Sequence, residues 1–256
     1  MKALIRFALR KIPRKYLQLF SHILLRIASI FYKGKGVQCN VCSSEFKKFM
    51  PYGRVHTREN ALCPNCLSLE RHRLIKNYLE SKTNFFTANL KVLHVAPELC
   101  FIKRFEKIHG DNYITADIES PLAKVKMDVH DIPFEENSFD VVMCNHVLEH
   151  VTDDHKVLTE FYRILKPGGW AILQSPMDYS MEKTYEDPSI VDPLEREKHF
   201  GQDDHLRMFG LDYGQRLSKG GFKVSEEKVS DTYTQEQIKK LGLDKNEIMY
   251  FCEKVN

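Results

Sequence analysis

A chain of 256 residues has room for one full α/β domain and a small attachment, and its composition, 43% hydrophobic and 29% charged with neither Pro nor Gly in excess, excludes a low-complexity or disordered chain. The net charge of +3 averages two unlike parts: the first 36 residues hold nine Lys or Arg and no acid, which leaves 29 basic against 35 acidic residues in the remainder. The body is mildly acidic, so attraction to nucleic acid or to a membrane has to come from the N-terminal arm.

Residues 1–36 form that arm. Leu4, Ile5, Ala8 and Leu9 make one apolar stripe at helical spacing, broken at Pro13, and Leu17, Phe20, Leu24, Ile27 and Phe31 make a second, interrupted by Arg26. The charge-free runs are shorter than the roughly 20 residues a bilayer span requires. A basic amphipathic helix in a membrane interface is the sharper expectation. Packing on the body or on a partner subunit, and a cleavable organelle presequence, are the alternatives.

Residues 37–84 follow Gly34-Lys-Gly36 as a compact module with a linking helix. Cys39 and Cys42, then Cys63 and Cys66, are two C-x-x-C pairs 20 residues apart, the spacing of a tetrahedral Zn(Cys)4 ribbon. Seven cysteines in all suit a reducing compartment better than a disulfide framework. Structural zinc would replace a core that so short a segment cannot build; iron in a similar thiolate site and buried free thiols are the competing readings. A helix is predicted over Ser68–Leu79. Its Glu70-Arg-His-Arg73 run reads either as a solvated face or as an oxyanion-binding pair of arginines. Ser81–Asn89 reads as a linker.

Residues 85–256 alternate strand and helix. Strands are predicted at Lys91–Val95, Tyr113–Asp117, Lys124–Asp128, Phe139–Asn145 and Trp170–Ser175, and helices near Leu99–His109, Asp153–Leu165 and His205–Ser218. That alternation predicts a doubly wound, mostly parallel sheet, to which Phe222–Lys228 and Ile248–Glu253 add an antiparallel edge hairpin. Asp117 and Asp128 stand at strand ends, where such sheets contact ligands. Met177–Asp204 is much longer than a usual connection and is the natural substrate lid.

The ordered features Asp128, Ile132-Pro-Phe134, Ser138-Phe-Asp140, Leu148-Glu-His150 and Arg163-Ile-Leu-Lys-Pro-Gly-Gly169 closely resemble the class I, type 11-like S-adenosylmethionine-dependent methyltransferases, with a Rossmann-like fold. The resemblance implies that Asp128 contacts the adenine amine with the Val129 backbone beside it, and that Asp117 holds the ribose hydroxyls. Ile118 and Asn145 are counted with them as cofactor-binding residues. The first-strand loop departs from the pattern: His94 stands where an acid is expected, Ala96 would replace a glycine if its φ is negative, and Glu98 is placed to accept from the methionine ammonium. His146, His150 and His205 compete for the role of general base toward an oxygen acceptor.

The expected activity is methyl transfer to a small-molecule or glycan- or lipid-linked acceptor, with the arm touching a membrane surface and the protein otherwise cytoplasmic. An RNA base methyltransferase with a zinc-ribbon RNA-binding module is the first alternative. The acidic body and the absence of an Asn-Pro-Pro-Tyr-like motif after the fourth strand weigh against it. A non-catalytic zinc-ribbon interaction protein with a degenerate methyltransferase fold is the second.

Overall fold

The computed structural model describes residues 29–53 and 57–255, so most of the predicted arm, residues 1–28, lies outside the described residues. The chain divides into two compact units, one running to Asn77 and taking back Gln235–Asp244, the other comprising Tyr78–Thr234 and Lys245 onward. The division therefore falls at Asn77, inside a helix, instead of at the 84/85 boundary expected from the linker. No helix of the described residues is long and apolar enough to cross a membrane.

The first unit is built from two antiparallel hairpins. Strand β1 (Lys33–Cys39) pairs with β2 (Ser44–Phe46), and β3 (Met50–Tyr52) with β4 (Arg58–Leu62). Gly34 and Gly36, read from sequence as the end of the arm, lie inside β1. A Cβ at Gly36 would sit 2.2 Å from the Lys47 carbonyl oxygen, so only glycine permits that approach. Helix α1 (Glu70–Lys82) begins in this unit. The short helix α7 (Gln235–Leu241) completes the unit, with Ile238 buried.

The second unit holds a seven-stranded sheet in the order β12-β13-β9-β8-β5-β6-β7. Its strands are β5 (Val92–Val95), β6 (Tyr113–Asp117), β7 (Val125–Lys126), β8 (Phe139–Asn145), β9 (Leu165–Gln174), β12 (Lys223–Lys228) and β13 (Ile248–Glu253). Strands β5 to β9 are parallel, while β13 runs antiparallel to both β9 and β12. This mostly parallel sheet matches the expected Rossmann-like methyltransferase fold. The chain steps outward from β5 to β6 and β7, then returns to add β8 and β9 on the other side, which makes the carboxyl ends of β5 and β8 the topological switch point.

All four residues of β5 are buried, as a strand covered on both faces requires. Leu93 and Val95 join the core with Val157, Leu158 and Phe161 of helix α3 (Asp154–Ile164) and Leu217 of α5 (Tyr213–Lys219). His94 projects to the opposite face, beside the rings of Phe101 and Phe105 of α2 (Leu99–His109). Phe85 is fully buried against Phe105, His109 and Trp170, so the predicted linker is part of the core on that face.

Helix α3 is N-capped by Asp153, whose carboxylate accepts from the Lys156 amide at 2.9 Å. It ends at Ile164, and Lys166-Pro-Gly-Gly169 continues as strand β9 instead of serving as a separate turn. Gly168 takes φ +76° where β9 shifts register, with Leu165 opposite Phe139 but Trp170 opposite Val141.

The predicted helix over His205–Ser218 is corrected: only Tyr213–Lys219 is helical, and Arg207–Met208 form strand β11, paired with β10 (Tyr185–Glu186). Arg207 is the reason. Its buried guanidinium donates at 2.6 Å to the carbonyls of both Leu148 and Val151, which draws the segment out alongside the loop after β8. The long insertion 177–204 also contains helix α4 (Pro193–Phe200), capped by Asp192. Between β12 and β13 lie α6 (Val229–Thr232) and α7.

Candidate active site at the strand ends and a four-cysteine centre

Adjacent strand ends in the second unit bring a set of polar side chains to one edge of the sheet. His94, the last but one residue of β5, is fully buried. Its Nδ1 lies 2.6 Å from the Tyr113 hydroxyl and its Nε2 lies 2.5 Å from Glu98 Oε2. Glu98 Oε1 in turn accepts from Asn145 Nδ2 at 3.0 Å. Glu98, four residues after His94 and just before helix α2, thus sets a carboxylate at this edge, and the His94 ring orients it. Asn145, at the end of β8, keeps a buried Oδ1 with no hydrogen-bond partner, an acceptor suited to a donor on a bound molecule.

Asp117 ends β6 and binds the following turn, its Oδ1 accepting from the amides of Glu119 and Ser120 at 2.8 and 2.7 Å. Its turn-capping role is therefore real, and Oδ2 has no partner among the described residues. Ile118 beside it is 57% exposed, an apolar side chain left open at a polar edge. Asp128 accepts through Oδ1 from the His130 amide and from His130 Nδ1, bonds that hold its carboxyl below the usual carboxylate range. Its Oδ2 is likewise unpartnered among the described residues, and the Val129 side chain is buried.

Ala96 departs from its expected conformation. Its φ is +48°, in the left-handed region, where a Cβ crowds the following carbonyl oxygen. A glycine would be relaxed here and a β-branched residue strongly opposed. We expect Ala96→Val to lower stability by about 2 kcal/mol and Ala96→Gly to raise or preserve it. Urea unfolding midpoints check the order Gly, Ala, Val; a Val variant as stable as the parent would contradict the strained turn.

The three histidines predicted as alternatives prove to be neighbours. His146, at φ +56°, has Nδ1 3.5 Å from Glu149 Oε1, and His150 Nε2 lies 3.9 Å from the same oxygen. The His150 and His205 rings are 4.7 Å apart, edge to face. Glu149 is 1% exposed. Burial opposes its charge, but His146 and His150 outweigh that and hold the carboxyl below its ordinary range. Burial pushes His205 down, toward the neutral imidazole. Glu149 carries no role in the sequence reading beyond its place in Leu148-Glu-His150. The signal for it was the i, i+3, i+4 spacing of His146, Glu149 and His150 immediately after a strand end, which puts all three on one side of a single turn.

In the first unit, Cys39, Cys42, Cys63 and Cys66 converge with all four sulfurs within 4.8 Å of one another. Cys39 Sγ is 3.6 Å from Cys66 Sγ, and Cys42 Sγ is 3.7 Å from Cys63 Sγ. Those separations exclude a disulfide, whose sulfurs lie about 2.05 Å apart. They equal the roughly 3.8 Å edge of a tetrahedron with 2.3 Å metal–sulfur bonds. Ser68 Oγ lies 3.1 Å from Cys39 Sγ and 3.2 Å from Cys66 Sγ.

Neither reading of the Glu70–Arg73 run survives for Arg73. It is fully buried, stacked 4.0 Å over the Phe49 ring, and donates to the carbonyls of Ser68, Ala61, Leu241 and Gly242. Glu70 is occupied by Arg58 at 2.9 Å. The insertion 177–204 leaves Val191 and Leu194 69% and 67% exposed.

Residues 90–173 match the family model described as a methyltransferase domain. A ubiquinone/menaquinone biosynthesis C-methyltransferase, UbiE, of Idiomarina loihiensis is 34% identical over 83 residues, covering 31% of this chain and 33% of that protein. The corresponding protein of Pseudoalteromonas translucida is 49% identical over 45 residues, 18% of each chain. The chain thus spans about a third or less of the length of these curated relatives. Among solved structures, an S-adenosylmethionine-dependent methyltransferase from Mesorhizobium loti aligns with a TM-score of 0.46 at 14% identity, covering 66% of this chain and 92% of that one.

Proposed function

We propose that the chain transfers the methyl group of S-adenosylmethionine to a small-molecule or glycan- or lipid-linked acceptor. The methyltransferase-domain match over residues 90–173 is the premise. The observation that carries the reading is the row of acceptor atoms at neighbouring strand ends: Asp117 Oδ2, Asp128 Oδ2 and the buried Asn145 Oδ1. These suit the ribose hydroxyls, the adenine amine and a further donor of the cofactor, with Ile118 offering an apolar edge and the Val129 backbone a polar one. Glu98, oriented by His94, is the acid for the methionine ammonium.

When bound, the cofactor supplies a methyl group already activated on a positively charged sulfur. The chain's part is to align the acceptor with that methyl group and to exclude water, a task for the 177–204 insertion. A hydroxyl acceptor must also lose a proton, and the His146, His150 and His205 cluster is placed to receive it.

Calorimetry with S-adenosylmethionine or its demethylated product should show one site per chain. Asp117→Ala should weaken binding at least 10-fold, roughly the loss of one charge-assisted hydrogen bond of about 1.5–3 kcal/mol. Absence of any binding to the unaltered protein would sink the reading.

The acceptor's setting follows from the arm. Ile30 and Phe31 continue its apolar stripe into the described residues and are 61% and 79% exposed, which supports contact with a membrane surface. Flotation with anionic liposomes should be lost when residues 1–31 are deleted; equal flotation of both forms would remove the membrane from the proposal. For the first unit we propose a structural zinc ion on the four cysteines, a ligand set without an open position.

A further inference from the structure

Glu149 and its neighbouring histidines carry an inference beyond methyl transfer. We infer that Glu149, His150 and His205 form a binding site for one first-row divalent transition metal ion, distinct from the four-cysteine centre.

The donor atoms of Glu149, His150 and His205 all lie within 4.8 Å of one another. Glu149 is almost wholly buried, yet neither carboxylate oxygen has a hydrogen-bond partner. Its nearest imidazole nitrogens, those of His146 and His150, stand 3.5 and 3.9 Å away, longer than an ordinary charge-assisted hydrogen bond. A carboxylate held out of water with only these long imidazole contacts is incompletely compensated, and a cation between it and the imidazoles completes the compensation.

The histidines are arranged as ligands. His205 Nδ1 faces the Phe200 carbonyl at 2.9 Å, which puts the proton on Nδ1 and leaves Nε2 as a bare lone pair. That Nε2 is buried and unpartnered. His150 repeats the arrangement, with Nδ1 3.2 Å from the Asp204 carbonyl and Nε2 turned toward Glu149. An outer carbonyl fixing the ring while the other nitrogen faces the ion is the usual second layer of a metal-binding histidine.

The frame around the site is rigid. The Leu206 amide donates to the Glu149 carbonyl at 2.8 Å, and Arg207 ties the Leu148 and Val151 carbonyls to the same strand. Donor separations around an ion with bonds of about 2.1 Å are about 3.0–3.4 Å. The cluster is therefore slightly more open than a loaded site and closes by small rotations of the rings.

Two imidazoles and one carboxylate suit zinc, manganese or iron(II) better than magnesium or calcium, which take oxygen donors. Three protein ligands leave positions for water or for an oxygen of the acceptor. In that use, which rests on the methyl-transfer reading, the ion would acidify an acceptor hydroxyl, whose proton would pass to solvent water, and would take up the lone pairs that would otherwise make the histidines free bases.

The test uses the full chain, first given one equivalent of zinc to satisfy the four cysteines, then titrated with manganese(II) and followed by the loss of the free-ion electron paramagnetic resonance signal. Manganese is chosen because thiolates bind it poorly. One further equivalent should bind, at least 10-fold more weakly in Glu149→Gln and in His150→Ala, whose ring is part-exposed, and unchanged in His155→Ala, an exposed histidine elsewhere on α3. Circular dichroism of each variant verifies that it is folded. No bound manganese, or binding that a folded E149Q or H150A leaves unchanged, overturns the site. S-adenosylmethionine binding is measured on the same samples: manganese binding without cofactor binding would retain the metal site and defeat methyl transfer, and the reverse would do the opposite.

Discussion

Stripping metal from the four cysteines, or replacing Cys63 with serine, is expected to unfold the first unit. The strands of the hairpins β1–β2 and β3–β4 are only three to seven residues long, and isolated two-stranded hairpins are marginal in water. The apolar side chains buried in this unit include Val37, Phe46, Phe49, Ala61, Leu74 and Ile75, a small core for its length. Binding of structural zinc to comparable peptides is worth about 10–16 kcal/mol near neutral pH, more than such a core supplies. Hydrogen exchange over residues 33–77 and 235–244 should lose its protection in chelator and regain it on adding zinc. Protection that persists without metal would show that the fold stands on its own packing. One zinc per chain at the cysteines should appear in elemental analysis, and four thiols reactive in the metal-replete protein would contradict the centre.

The second large effect is expected at Arg73. Arg73→Met should destabilise the first unit by about 3–5 kcal/mol, because a buried cation is replaced and four carbonyls lose their donor together. The planar guanidinium reaches Ser68 and Ala61 on one part of the chain and Leu241 and Gly242 on another, more than 160 residues later. Arg73→Lys should restore little, since a single ammonium cannot address four acceptors spread around a fork. Calorimetric or denaturant unfolding of the zinc-loaded chain measures both. A loss below about 1 kcal/mol would mean that water replaces the guanidinium at those carbonyls.

Much of the second unit was legible in the sequence, and the limits were physical. Strands Tyr113–Asp117, Phe139–Asn145 and Ile248–Glu253 and helix Leu99–His109 agree residue for residue with their expected bounds, because their apolar patterns are long and their ends carry clear turn signals. The segment 205–212 misled because Asp203-Asp204 resembles a helix cap, while the decisive interaction is the long-range grip of Arg207 on Leu148 and Val151. Arg73 misled for the same reason: a charged residue in a charged run reads as solvated until its distant carbonyl partners are known. The cysteine centre was legible because its signal is local spacing. The histidine cluster was half legible, since three of its members could be named but their convergence on Glu149 could not. Ala96 could be flagged as an oddity, but the sign of φ is set by the ladder it leaves, where its amide donates to the Ala116 carbonyl at 2.9 Å.

The return of Gln235–Asp244 to the first unit has a consequence for the order of events during synthesis. The cysteines and Arg73 precede the sheet in the chain, but the carbonyls of Leu241 and Gly242 that Arg73 binds are made only after all of its strands except β13. At about 5–20 residues per second that interval is on the order of 10–30 s. Throughout it Arg73 lacks two of its four acceptors. A unit whose cysteines precede the sheet in the chain is thus finished only after it, and with zinc on those cysteines, as proposed, its yield in cells should track zinc supply during translation more closely than that of the seven-stranded sheet.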